Sequence, residues 1–153
     1  MPRELVANPV FLLARLGFGV KKQAIEELER IGSSLYDYSV LALLAEAPCE
    51  GQGSIAEMLS LDKSQLVGLL DGLEERKLIE RRRDPSDRRR HNVILTDDGK
   101  RQLEKLRGLV NGIAEEFLAP LTPAQREELH KLLLQVAGHH DARYVLRESG
   151  AAA

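Results

Sequence analysis

The feature that most constrains this chain is a change of hydrophobic periodicity just after Lys77. Before Lys77, apolar residues recur every three or four positions, as they do on one face of an α-helix. After it, segments 78–83 and 91–95 have the pattern of extended strands, and the turn-forming sequence Asp84-Pro85-Ser86-Asp87 lies between them. The sequence therefore predicts a mainly α-helical fold with one small β-hairpin.

Two short helices are predicted immediately before this hairpin. Ser54-Ile55-Ala56-Glu57 has the S-x-x-E form of a capping box, which predicts a helix from Ser54 to about Ser60. Asp62 offers a second N-cap, with Gln65 at the N3 position. The helix that follows has an apolar face formed by Leu66, Leu69, Leu70 and Leu73. Two capped helices joined by a tight turn predict a helix-turn-helix, and the basic hairpin after it predicts a wing.

Longer amphipathic helices flank this lobe. The apolar spacing predicts one helix from Asn8 to Ile31 and a second from Tyr36 to Glu46. Thr96 is placed to cap a long helix, and Thr122-Pro123-Ala124-Gln125 has the cap, N1 proline and N3 glutamine of a last helix. With 153 residues, we expect one domain over the whole chain.

The long helix after Thr96 has apolar residues at alternating steps of three and four, which is the spacing of a seam that packs on a partner helix. A monomer would leave this seam and the apolar face of the last helix exposed. We therefore expect a homodimer, with an interface that includes Leu106, Val110, Ile113, Phe117, Leu132 and Leu133.

Charge is concentrated around the hairpin. The chain has a net charge of −2, yet residues 76–90 contain eight basic residues against three acidic ones, a local charge of +5. Such a patch on an acidic protein is expected where one edge contacts the phosphates of double-stranded DNA. A solvated charged loop is the alternative explanation.

The second helix of the predicted helix-turn-helix must face the core with its leucines, so its opposite face is available to DNA. Lys63 and Ser64 lie near its N-terminus, where phosphates bind, and the amide of Gln65 matches an adenine edge. Gly68 and Gly72 each cost about 1 kcal/mol of helix stability, which indicates close backbone approach to DNA unless they reflect weak selection. The predicted recognition residues are Lys63, Ser64, Gln65, Val67 and Gly68.

In the wing, an arginine at the hairpin tip can enter a narrow minor groove while its neighbours contact the flanking phosphates. Arg88, Arg89 and Arg90 compete for that role. Asp87 would be repelled by DNA, so we expect it to orient one of these arginines through a hydrogen bond.

Little in the sequence points to catalysis. The four histidines have no companions at metal-ligand spacing, and neither a glycine-rich phosphate loop nor a nucleophile elbow is present. We therefore expect no enzyme activity, no metal and no cofactor. No signal segment or membrane span is apparent and Cys49 is the sole cysteine, so the expected location is the cytoplasm. A redox-sensing role for Cys49 is the alternative to an incidental one.

The sequence also resembles a known family. Residues 78–90 followed by Leu95-Thr96-Asp97-Asp98-Gly99 look like the wing signature of the MarR family, D-x-x-D-R-R leading into L-T-x-x-G. Residues 61–65 and 73–78 are similar to the entry and exit of that family's recognition helix. The resemblance implies a winged helix-turn-helix lobe over about 36–99 and dimerisation helices over about 8–31 and 97–146. It further implies binding to a pseudo-palindromic operator as a homodimer, with release by a small anionic or phenolic ligand or by oxidation.

By position, Asp87 and Arg89 match the family's wing pair, and Ser64 and Gln65 match residues that contact the groove. Gly68 and Gly72 depart from the family, whose members often have larger polar or basic residues there. The family's ligand pocket lies where the dimerisation helices meet the lobe, which suggests Arg15, Tyr36 and Tyr38 as ligand contacts. A sequence-specific transcriptional regulator, working as a repressor, is the predicted function. The alternative is a winged helix that binds proteins without sequence-specific DNA binding.

Overall fold

The computed structural model describes residues 1–46, 50–83 and 91–144. The wing residues Asp87, Arg88, Arg89 and Arg90, and the cysteine Cys49, lie outside these ranges. The chain divides into two compact units, Met1–Ala114 and Glu115–Ala153. Whether the whole chain is one cooperative domain stays a prediction.

The first unit is mainly helical. Its helices are α1 (Arg3–Val6), α2 (Pro9–Arg30), α3 (Leu35–Glu46), α4 (Gln52–Leu59), α5 (Lys63–Glu75) and most of α6 (Asp97–Phe117). Its strands are β1 (Glu50–Gly51), β2 (Ile79–Arg83) and β3 (His91–Leu95). The second unit contains α7 (Pro123–His140) and a 3-10 turn (Ala142–Tyr144). None of the helices described is long and apolar enough to cross a membrane.

Most helix boundaries follow from local capping. The Asn8 side chain accepts a hydrogen bond from the Val10 N–H at 2.9 Å and so caps α2. Asp62 and Gln65 form a reciprocal capping box at the start of α5. The Thr122 and Gln125 side chains do the same for α7, with proline at its first position. The predicted starts of these three helices are confirmed.

The predicted start of α4 is wrong. Ser54 lies inside α4, which begins at Gln52 and has Gly51 at its N-cap, with no side-chain cap. The reason is that Glu50 and Gly51 form the strand β1, in which Gly51 pairs with Asn92 of β3. The chain therefore enters the helix directly from a strand, and the sheet rather than Ser54 sets the boundary.

The sheet has three antiparallel strands in the order β1-β3-β2. Strands β2 and β3 pair from Ile79 opposite Leu95 to Arg83 opposite His91. This pairing confirms the predicted hairpin and makes β2 an edge strand. Ile79, Val93 and Leu95 bury their side chains, which fixes the hairpin to the helical core.

The core of the first unit is one cluster built almost entirely from aliphatic side chains. It joins helices α2 to α6 with strands β2 and β3. Its buried members are Leu28, Val40, Leu41, Leu44, Ile55, Leu66, Leu70, Leu73, Leu78, Ile79, Val93, Leu95, Leu103 and Leu106.

This cluster corrects the expected dimer interface at Leu106, and the rest of that interface stays a prediction. Leu106 has no exposed surface because it packs in the core of its own chain, and Ile113 is only 7% exposed. Val110 and Phe117 are half-buried. Large exposed apolar side chains lie on α2 in the first unit, namely Val10, Leu13, Leu16 and Phe18. On α7 in the second unit, Leu132 and Leu133 of the expected interface are exposed, as is Val136.

A close contact joins the start of α6 to the chain that follows α5. The Thr96 hydroxyl donates to the carbonyl oxygens of Lys77 and Leu78, at 2.7 and 3.0 Å, and accepts from the Gly99 N–H at 3.0 Å. A Cβ atom at Gly99 would lie 2.0 Å from the Leu78 carbonyl oxygen and 2.6 Å from a methyl group of Leu95. Only glycine fits there, which explains the L-T-x-x-G pattern at residues 95–99 physically.

Helix α5 ends in a Schellman motif. The Lys77 N–H donates to the Glu74 carbonyl at 2.8 Å and the Leu78 N–H to the Leu73 carbonyl at 3.0 Å. Lys77 has a φ of 59°, in the left-handed region that favours glycine. Lysine at this position therefore stores backbone strain.

We expect Lys77→Gly to raise the free energy of unfolding by about 0.5–1 kcal/mol, because glycine adopts this conformation without a Cβ clash. The measurement is urea denaturation followed by circular dichroism. The matched control is Lys105→Gly in the interior of α6, which should lower the same quantity by about 1 kcal/mol. Destabilisation of similar size in both variants would contradict the Schellman assignment.

Gly99→Ala should destabilise the protein by about 3 kcal/mol, since the new methyl group would overlap the main chain at Leu78. The control is Gly108→Ala in the same helix, where a Cβ atom would have no neighbour within 4 Å. That variant should be stabilised by about 1 kcal/mol. Equal melting temperatures for the two variants would refute the close contact.

Candidate nucleic-acid interface

Helix α5 presents one face to the core and the opposite face to solvent. Leu66, Leu70 and Leu73 are buried and Leu69 is half-buried. The five predicted recognition residues are all exposed, in the first half of the helix: Lys63, Ser64, Gln65, Val67 and Gly68. Their contacts with DNA stay a prediction.

The Gln65 side chain already has a role in the free protein. Its carbonyl oxygen accepts a hydrogen bond from the Asp62 N–H at 3.2 Å, while Asp62 accepts one from the Gln65 N–H at 2.8 Å. Bidentate contact with adenine uses both the oxygen and the nitrogen of the amide. Gln65 can read a base in that way only by giving up half of the capping box.

No contact within the described part of the chain explains the two glycines of α5. A Cβ atom at Gly68 or Gly72 would meet no atom within 4 Å in the described structure. Glycine within a helix costs about 1 kcal/mol relative to alanine. Close approach of an external molecule would explain both residues, and weak selection remains the alternative.

Arg81, the third residue of β2, ties the hairpin to α5. Its guanidinium donates to Glu74 Oε2 from Nε at 2.8 Å and from Nη2 at 2.6 Å, and Nη2 also contacts Asp71 Oδ1 at 2.6 Å. The Arg81 backbone N–H donates to Glu74 Oε1 at 2.9 Å. The side-chain hydrogen bond from Arg81 is the main reason that the pKa of Glu74 lies below its usual range, and its counterpart raises the pKa of Arg81.

Arg76 joins three helix ends. Its guanidinium donates to the Gly72 carbonyl in α5 and to the Gly32 carbonyl after α2, both at 3.0 Å. It also pairs at 2.9 Å with Asp37, whose side chain is 7% exposed. Asp37 in turn accepts from the Ser34 N–H at the start of α3, at 3.1 Å. The pattern along the chain gives no signal for this pair, because its members are 39 residues apart.

These pairs change the interpretation of the basic segment. Arg76 and Arg81 were counted in the local charge of +5 around the hairpin, but both bind carboxylates within the chain. Their partners Asp37, Asp71 and Glu74 lie outside the counted segment, whereas Arg82 pairs at 2.8 Å with Glu80, which the count already includes. The count along the sequence therefore overstates the positive charge that this surface presents. The roles of Asp87, Arg88, Arg89 and Arg90 stay predictions.

The proposed ligand contacts are not gathered at a described cavity. Arg15 is exposed on α2, Tyr36 is 52% exposed at the start of α3, and Tyr38 is half-buried against the core. A cavity of about 300 Å³ lies elsewhere in the first unit. Its lining is Ala45, Leu95, Lys100, Arg101, Leu103, Glu104 and Arg107, which excludes all three predicted residues.

The order of elements, with the two short helices α4 and α5 followed by a hairpin bonded to the second of them, defines a winged helix-turn-helix lobe. A profile of the MarR family matches residues 34–91, which cover most of this lobe. Together with the relatives below, this match shows that the chain belongs to the MarR family of transcriptional regulators.

Two curated relatives are similar over 96 residues, or 63% of this chain. The transcriptional regulator HosA of Escherichia coli O111:H- is 31% identical, and the match spans 71% of its length. A protein of Thauera aromatica assigned to transcriptional regulation of the hcr operon is 33% identical. The match spans 58% of that relative, less than two thirds of its length.

Among solved structures, the chain is similar to the transcriptional repressor CouR bound to a 23-mer DNA duplex. The identity is 31%, the TM-score is 0.78, and the alignment covers 88% of this chain and 96% of CouR. CouR from Rhodococcus jostii RHA1 bound to p-coumaroyl-CoA is 32% identical with a TM-score of 0.72, and covers 89% of this chain and 96% of that one.

Gly68→Ala should move stability and DNA affinity in opposite directions if the helix backbone approaches DNA at this residue. We expect the free energy of unfolding to rise by about 1 kcal/mol, since alanine is the better helix former. Affinity for the duplex best bound in an in vitro selection should fall about tenfold, because the methyl group would occupy space that DNA requires. Anisotropy titrations and urea denaturation measure the two quantities. Unchanged affinity in a stabilised variant would favour weak selection.

Proposed function

We propose that this chain is a sequence-specific DNA-binding transcriptional regulator that works in the cytoplasm as a homodimeric repressor. The observation that carries this proposal is the exposed polar half of α5 on a helix whose other face is buried. A hairpin bonded to the same helix supplies the second contact. CouR, with the same fold, is bound to DNA in a solved structure.

In this mechanism, the first half of α5 enters a major groove. Lys63 and Ser64 contact phosphates at the helix N-terminus, and Gln65 and Val67 contact base edges. Val67 is 37% exposed, so its methyl groups are available to a thymine methyl group. The arginines of the wing contact the adjacent minor groove and its phosphates. Promoter occlusion then represses transcription.

A second copy of the chain is part of the proposal. The exposed apolar side chains of α2 and those of α7 are surfaces that a soluble monomer rarely presents in number. A homodimer would cover such surfaces and place two recognition helices about 34 Å apart, one turn of DNA. A duplex of 23 base pairs, such as the one bound to CouR, is long enough for two half-sites at that spacing.

Regulation by a small anionic or phenolic ligand is proposed by analogy with CouR, which has been solved with p-coumaroyl-CoA. Arg15, Tyr36 and Tyr38 remain the proposed contacts, through ion pairing and hydroxyl hydrogen bonds. We further propose that the chain acts by binding alone and catalyses no reaction. Its curated relatives are transcriptional regulators.

The test of the wing is Arg89→Ala. We expect it to weaken binding to the selected duplex by about tenfold or more while the dimer stays intact in analytical ultracentrifugation. Arg30→Ala is the matched control, since it removes the same charge from the end of α2, outside the lobe formed by α4 to β3. It should leave affinity within about twofold of the wild-type protein.

Equal affinity of Arg89→Ala and the wild-type protein would remove the wing from the mechanism. If the wild-type protein also bound random and selected duplexes equally, a protein-interaction module would be the better interpretation of the fold.

A further inference from the structure

The contact between β2 and α5 involves main chain as well as side chains. We call Arg81, Asp71 and Glu74 the Arg81 fork. Three donor atoms of Arg81, the backbone nitrogen, Nε and Nη2, lie 2.6–2.9 Å from carboxylate oxygens of α5. Because the backbone N–H is one of these donors, the fork fixes the strand itself and not merely one flexible side chain.

Edge geometry explains why this bond is available. Among the described strands, β2 pairs only with β3, since the sheet order is β1-β3-β2. An edge strand has outward N–H groups without a strand partner. The outward N–H of Arg81 donates instead to Glu74 Oε1, so a side chain of the recognition helix supplies the acceptor that a neighbouring strand would otherwise provide.

The fork also determines what Arg81 is free to do. Its side chain is 23% exposed and bridges two carboxylates that are one helical turn apart. An arginine engaged in this way has less freedom to contact phosphate than an exposed neighbour such as Arg83. The single charge of Arg81 offsets one of the two negative charges that Asp71 and Glu74 place on α5.

The geometry points to Arg81 and Glu74 as positioning residues. They hold the first wing strand in one place against the recognition helix, so that helix and wing reach neighbouring grooves together, and neither contacts DNA. This inference rests on the proposed function. Its physical basis is preorganisation: a wing held in its bound position loses less conformational freedom on binding than a loosely tethered one.

The decisive variant is Glu74→Gln, because electrostatics and positioning predict opposite changes in its affinity for DNA. Removing a negative charge close to DNA should strengthen binding if only electrostatics matters. Loss of the fork should weaken binding to the selected duplex, by about tenfold, comparable to the coupling energies of contacting residues. Glu75→Gln is the matched control, because Glu75 is exposed on the next residue of α5 and lies outside the fork. It should bind equally well or slightly more tightly.

Arg81→Lys provides a second variant. Lysine keeps the charge but lacks the planar fork that contacts two carboxylates at once. Positioning predicts weakened binding in Arg81→Lys, whereas a simple requirement for positive charge predicts wild-type affinity. All titrations are made at least about 15 °C below the melting temperature of each variant, so that a purely structural role would leave affinity unchanged. If Glu74→Gln does not fold, Arg81→Lys decides the question.

Weakened binding of both variants, with normal binding of Glu75→Gln, supports the positioning role. Wild-type or tighter binding of Glu74→Gln overturns it, provided that the wild-type protein prefers the selected duplex over random DNA. If the wild-type protein shows no such preference, the proposed function fails and the inference that rests on it fails too. The two failures are therefore distinguishable from the wild-type titration alone.

Discussion

The lobe depends on the backbone N–H and carbonyl groups of one residue, Leu78. Its N–H closes the Schellman motif at the end of α5, and its carbonyl accepts from both the N–H and the hydroxyl of Thr96 at the start of α6. Ile79, the next residue, begins the wing. Gly99 allows α6 to approach this carbonyl, which a Cβ atom would meet at 2.0 Å. The recognition helix, the wing and the long helix thus meet at Leu78. A side chain at Gly99 would have to displace the main chain there.

Arginines serve two purposes in this small lobe. Arg76 satisfies carbonyl groups at two helix ends and neutralises the buried Asp37, while Arg81 joins wing and recognition helix. A buried carboxylate without such a partner would be strongly destabilising. The exposed basic residues are the ones proposed to contact DNA. The basic segment therefore contains arginines with structural roles, and the positions of their carboxylate partners identify them.

Local signals made much of the fold predictable, and non-local contacts explain the errors. The capping boxes at Asp62 and Thr122 lie within four residues, so the sequence alone identified those helix starts. Ser54 was misassigned because a strand pairing with residues about 40 positions away sets the start of α4. The periodicity of α6 correctly showed that Leu106 is buried. Periodicity does not show which residues pack against a helix face, and Leu106 packs in the core of its own chain. At the interface, the exposure of Lys63, Ser64, Gln65, Val67 and Gly68 followed from the leucine stripe. The partners of Arg76 and Arg81 required the tertiary structure.

The central claim is that helix α5 and the wing together read a DNA sequence. The most direct measurement is fluorescence anisotropy of the purified protein with two duplexes of equal length and composition, one selected in vitro and one shuffled, over a range of salt concentrations. The account predicts that the selected duplex binds at least about a thousandfold more tightly near physiological salt, and that both affinities fall steeply as salt rises. Equal affinity for the two duplexes at every salt concentration would contradict it.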